Sequence, residues 1–144
     1  NLAGVDSIDR AGLEAAWVHG PWLLQSEYLR GAFARDVGDY AAGGWYAQGT
    51  WFPFGQQRSY KNGAIDAPKV ADGAPAIELG LRYSDLDLDD GAVRGGEQRN
   101  WTLGATWWVS SNVRFMANWV RVDSQRAGLA DEPDIVEFRA QLAF

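Results

Sequence analysis

No cysteine occurs in the 144 residues, which removes disulfides, thiolate metal sites and cysteine nucleophiles together. The single histidine, His19, stands beside a Gly-Pro turn, and no Ser, His and acid grouping, metal cluster or phosphate-cradling loop accompanies it. No catalytic residue, metal ligand or cofactor is therefore assigned. No apolar run approaches the roughly 20 residues of a spanning helix, and mean hydropathy is −0.30. That excludes a helical membrane protein but not a transmembrane barrel, whose strands are only half apolar. A net charge of −6 without a basic patch argues against nucleic acid as a partner. The first residues, NLAGVDSIDRAG, show neither a basic n-region nor an apolar h-region, and no initiator Met. The chain is accordingly expected to be a piece of a longer one.

What the sequence has is aromatic residues and glycine: 8 Trp, 5 Tyr, 6 Phe and 17 Gly, against 5 Pro. They fall into a period-two pattern that runs to the C-terminus. Residues 12–19 put Leu13, Ala15 and Trp17 on one face and Glu14, Ala16 and Val18 on the other. Gly20-Pro21 turns the chain, and 22–30 set Trp22, Leu24 and Tyr28 against Gln25, Glu27 and Leu29. In 45–52, Trp45 and Trp51 oppose Tyr46 and Gln48; in 76–83, Ile77, Leu79, Leu81 and Tyr83 oppose Glu78 and Arg82. The hairpin 99–122 alternates Trp101, Leu103 and Trp107 with Thr102 and Thr106, then Phe115 and Trp119 with Arg114 and Asn118. The last stretch, DIVEFRAQLAF, sets Val136, Phe138, Leu142 and Phe144 against Glu137, Arg139 and Gln141. Seven strands result, with no helical stripe and no separate domain boundary within 1–144.

Successive strand side chains point to opposite faces, so the sheet has one aromatic face and one charged in mid-strand. A wall between lipid and a water-filled lumen needs this, with aromatic girdles at both interfaces; a soluble sandwich reaches the same alternation with a buried core. The connections alternate between short (20–21, 110–112) and long (31–44, 84–98, 123–133), as in outer-membrane barrels. The long 53–75 connection falls on the short-turn side and has no account from sequence, although Pro53, which cannot donate to a ladder, should end its strand at Phe52. The acidity is local. Residues 84–97 hold Asp85, Asp87, Asp89, Asp90 and Glu97 against Arg94, and 123–134 hold Asp123, Asp131, Glu132 and Asp134 against Arg126. These net −4 and −3 leave +1 elsewhere. In DLDLDDGAVRGGE, Gly91 and Glu97 come one residue late for an EF-hand loop, so an acidic loop is preferred to a calcium site.

The blocks GPWLLQSEYLR, GGWYAQGTWFPFGQQRSYKNG, AIELGLRYSDLDLDDG, GGEQRNWTLGATWWVSSNVRFMANWVRV and EFRAQLAF resemble, in order, the C-terminal half of the phosphate-selective porin O and P family, over residues 11 to 144. The resemblance implies an all-β fold, about seven strands of a sixteen-stranded antiparallel meander barrel in the bacterial outer membrane. It implies a trimer, among lipid and lipopolysaccharide, that passes phosphate, polyphosphate or other anions. The final strand, with Phe138, Leu142 and Phe144, resembles the signal read by the barrel-assembly machinery. Where this chain has Pro53-Phe54-Gly55-Gln56, the family more often has a Leu-Thr-Gly-Glu-like run, and its basic constriction residues lie largely outside the region matched.

On this reading the lipid-facing girdle is Trp17, Trp22, Trp45, Trp51, Tyr83, Trp101, Trp107, Trp119, Phe138 and Phe144. The pore-lining candidates are Arg82, Arg114, Arg139, Glu27, Glu78, Glu137, Gln48 and Asn118. A guanidinium ladder suits phosphate oxygens; the competing arrangement, slightly preferred, pairs each Arg with Glu78, Glu137 or Glu27 on a neighbouring strand. Two other readings stay open: a soluble β-sandwich or small-barrel binding module, and a structural barrel with a plugged lumen.

Overall fold

The computed structural model describes residues 4–61, 63–70, 74, 76–110 and 112–143. Seven long strands form one antiparallel meander: β1 (Val5–His19), β2 (Trp22–Arg35), β3 (Tyr40–Trp51), β6 (Ala76–Asp90), β7 (Val93–Trp108), β8 (Val113–Arg126) and β10 (Asp134–Leu142). The short β9 (Leu129–Asp131) pairs with β8, and β4 (Tyr60–Lys61) with β5 (Ala64–Ile65) forms a separate small hairpin. The sheet is not closed, since β1 pairs only with β2 and β10 only with β8 among the described residues.

The strands outrun the sequence expectation. The segments read as long loops, 31–44, 84–98 and 123–133, are mostly ladder: β6 and β7 stay paired out to Asp90 and Val93, and β2 with β3 to Phe33 and Tyr40. Two-residue turns close β6–β7 and β8–β9, while residues 36–39 link β2 to β3. Gly91 (φ 56°) opens the β6–β7 turn, as Gly20 (φ 55°) opens the β1–β2 turn, the first central position that favours glycine in hairpins. Ala127 (φ 51°) and Gly128 (φ 81°) both turn left-handed between β8 and β9. Beyond Tyr83 the aromatic face turns acidic with Asp85 and Asp87 while Leu86 falls on the opposite face, so the pattern inverts while the backbone ladder continues. The acidic residues 85–90 therefore sit on a strand.

The faces separate cleanly. Cross-strand partners put Leu13, Trp17, Trp22, Leu24, Tyr28, Trp45, Trp51, Leu79, Leu81, Tyr83, Trp101, Leu103, Trp107, Phe115, Trp119, Val136, Phe138 and Leu142 on one face. Seven of the eight Trp residues lie there, 37 to 51% exposed, and Trp108 alone is buried. A soluble sandwich buries such a face. Here it forms a contiguous apolar surface far larger than a water-soluble monomer exposes. Phe144 lies outside the described residues.

The aromatic rows also fix the tilt. Trp22 and Tyr28, Trp45 and Trp51, Ile77 and Tyr83, Trp101 and Trp107, and Val113 and Trp119 are each six residues apart, about 20 Å along a strand. Tyr28 faces Trp45, but Tyr83 faces Ala47, Trp119 faces Leu103 and Phe138 faces Ala117. The row thus slips six residues over the five strand steps from β2 to β10. A slip of about 20 Å across about 24 Å of sheet means strands inclined about 40° from the normal to the row. That falls within the roughly 35–45° of transmembrane barrels. One pleat beyond the upper row the same face turns ionic. Arg99 binds Asp85 (3.0 Å) and Glu97 (3.3 Å), and Arg121 binds Glu132 (2.9 Å) and Asp134 (3.1 Å). These exposed pairs contribute little to stability; they mark where apolar surroundings end.

Candidate functional site

The opposite face is built from the alternate residues of the same strands. Gln25, Gln48, Arg82, Thr102 and Val120 form one cross-strand row, and Glu78, Thr106, Met116 and Arg139 another. All eight pore-lining candidates lie on this face. The row through Arg82 is a hydrogen-bonded relay. Arg82 Nη1 donates to Gln48 Oε1 (3.1 Å), Gln48 Nε2 to Gln25 Oε1 (2.9 Å), and Gln25 Nε2 to Glu14 Oε1 (3.0 Å). Arg82 also stacks on the Tyr46 ring, 3.7 Å from its centroid.

The described part of the 53–75 connection, which has no account from sequence, folds onto this face at the short-turn end. As expected, the strand breaks before Pro53, β3 ending at Trp51, and the Phe52 amide donates to the Pro21 carbonyl at 3.0 Å. Phe52, Ala76 and Trp108 are buried together with Val70 against them, and Pro68 is fully buried. This small apolar cluster, on the polar side of the sheet, fastens the segment to the wall.

Arg58 is the segment's main polar anchor. Its Nη2 donates to Glu78 Oε2 (2.7 Å) and Oε1 (3.0 Å), its Nε to Oε1 (3.0 Å), and its Nη1 to the Asp66 carbonyl (3.0 Å). The Trp108 indole N–H donates to Glu78 Oε2 at 3.1 Å, and its ring carries Arg58 on one contact (5.4 Å) and Arg114 on another (4.5 Å). Arg114 in turn donates twice to Gln141 Oε1, at 2.7 and 3.1 Å.

The expected pairing of Arg82, Arg114 and Arg139 with Glu78, Glu137 or Glu27 does not form. Among the described residues none of those three guanidiniums has a carboxylate within ion-pair distance. Glu78 is engaged by Arg58, while aromatic rings and amides hold Arg82 and Arg114. Such partners orient a cation without neutralising it. Arg58, Arg82, Arg114 and Glu78 line one cavity of about 240 Å³ together with Gln48, Thr50 and Asn118. Among the described residues three guanidiniums against one carboxylate give it a formal charge of +2 in a chain of net −6. Glu27, Glu137 and Arg139 lie on the same face but do not line this cavity. Sequence reading missed Arg58, which lies in a stretch without periodicity; the available signal was Phe52, Pro68 and Val70, apolar residues in a connection that must bury them.

A tilted meander with an exposed, aromatic-banded face and a polar face is part of the wall of a transmembrane β-barrel. The chain belongs to the phosphate-selective porin O and P family, whose model matches residues 1–144. It is 28% identical over 133 residues to Porin O of Pseudomonas aeruginosa, covering 80% of this chain and 30% of that protein. It is 34% identical over 122 residues to an uncharacterised protein of Caulobacter vibrioides, covering 81% of this chain and 25% of that one. The chain thus spans between a quarter and a third of the length of these curated relatives.

Proposed function

We propose that this sheet is one stretch of the wall of an outer-membrane porin, closed by further strands, through which small anions diffuse passively. On this reading the aromatic face meets lipid, the ionic row above it meets lipopolysaccharide headgroups, and the polar face lines the lumen. Like subunits assemble as a trimer, and the last strand is the part offered to the assembly machinery. The observation that carries the anion preference is the cavity itself: Arg82 and Arg114, held on Tyr46 and Trp108, face it without a carboxylate of their own. A fixed cation beside a water-filled path lowers the entry barrier for an anion, and guanidinium forks match the oxygens of phosphate. The acidic stretches do not oppose this, because Asp85, Asp89 and Asp90 lie toward the other end of β6 from Glu78. Nothing in the site calls for covalent chemistry. The porin should conduct in planar bilayers with chloride more permeant than potassium, and R82Q together with R114Q should lower that ratio severalfold. An unchanged ratio in the double variant would sink the assignment.

A further inference from the structure

We propose that Glu78 is the counter-charge that sets the ion preference of this pocket, holding Arg58 in a neutral pair; the inference rests on the porin reading above. Among the described residues Glu78 is the one carboxylate lining the cavity, and it is 5% exposed. It accepts three hydrogen bonds from Arg58 and one from Trp108. Withdrawing a charge this far from water is costly unless it is paired and hydrogen-bonded, and its partner is the cation that Arg58 brings to the wall. The pair therefore contributes position but no net field. Arg82 and Arg114 set the field, and Glu78 keeps it at two positive charges rather than three.

Two roles are open to such a pair, and the sign of the charge separates them. If it only fastens the segment, breaking it from either side frees the same segment and moves the pore in the same direction. If Glu78 masks Arg58, removing the acid and removing the base have opposite effects. E78Q exposes an uncompensated guanidinium and takes the pocket to +3; R58Q leaves an uncompensated carboxylate and takes it to +1. One unit charge roughly 7 Å from a permeating ion, at near-bulk dielectric, changes that ion's local population about threefold.

The test is the zero-current potential of the complete porin in a planar bilayer under a potassium chloride gradient. Wild type, E78Q, R58Q and the E78Q/R58Q double variant would be compared, each with its folded state established in detergent. The expected result is a chloride-to-potassium permeability ratio raised roughly sevenfold by E78Q and lowered roughly sevenfold by R58Q, because the two ions shift in opposite directions. The double variant should lie between them. Where E78Q does not assemble, R58Q and the swapped pair Glu78→Arg/Arg58→Glu carry the comparison, the swap returning the ratio toward the wild-type side of R58Q. Shifts of the same sign in both single variants, or none, would overturn the role of Glu78 and leave the porin reading standing. A folded wild type that passes no current would overturn both.

Discussion

A lysine placed at either of two adjacent positions on β8 should separate the two faces energetically. Ala117 lies between Phe115 and Trp119 on the aromatic face, facing Ala105 on one neighbour and Phe138 on the other. That is close to midway between the two aromatic rows. Asn118 points the other way, opposite Gly104 and Glu137. Lysine on the lipid face near the midplane of a transmembrane barrel costs about 2–4 kcal/mol. At 1.4 kcal/mol per decade, A117K should shift the folding equilibrium roughly 30- to 700-fold toward the unfolded state. N118K places its ammonium in the lumen beside Glu137, where a cross-strand pair contributes about 0.2–1 kcal/mol. It should therefore stay within about 1 kcal/mol of wild type. Denaturant titration of the porin folded into lipid vesicles, followed by tryptophan emission, reads both. Equal penalties, or a larger one for N118K, would refute the assignment of faces.

Two further outcomes follow from particular residues. Ala127 carries a left-handed φ of 51° at the first position of the β8–β9 turn, so A127G should stabilise that hairpin by roughly 1 kcal/mol. Slower amide exchange at Arg126 and Leu129, partners across the turn, would show it. R82Q alone, with Gln48 still present to accept a hydrogen bond, should lower chloride preference without measurable loss of stability, and the single-channel reversal potential checks this.

The sequence carried the faces because lipid and water impose opposite demands on alternate residues. Over 22–30, 45–52, 76–83 and 99–122 that demand is written in most alternate positions. Where the ladder climbs past the aromatic row both faces are wet, and Asp85, Asp87 and Glu97 look like loop residues although their amides stay in register. Backbone pairing needs only a neighbouring strand, and composition does not record it. The site was half legible for a related reason. Parity placed Arg82, Arg114 and Glu78 on one face, but which acid meets which base depends on a segment folding back. Arg58 reaches Glu78 across 20 residues of chain, and no periodicity announces such a contact. The preference for wall-to-wall pairing failed because the connecting segment supplied a better-placed guanidinium.

The central claim is that this sheet separates lipid from water, and the absence of native cysteine in the chain makes that directly measurable. Single cysteines would be introduced along β7 from Trp101 to Trp107 in the porin embedded in vesicles, and treated with a charged, membrane-impermeant thiol reagent. The account predicts labelling at 102, 104 and 106 and protection at 101, 103, 105 and 107. Protection at the even positions with labelling at the odd ones, or uniform labelling along the strand, would contradict it.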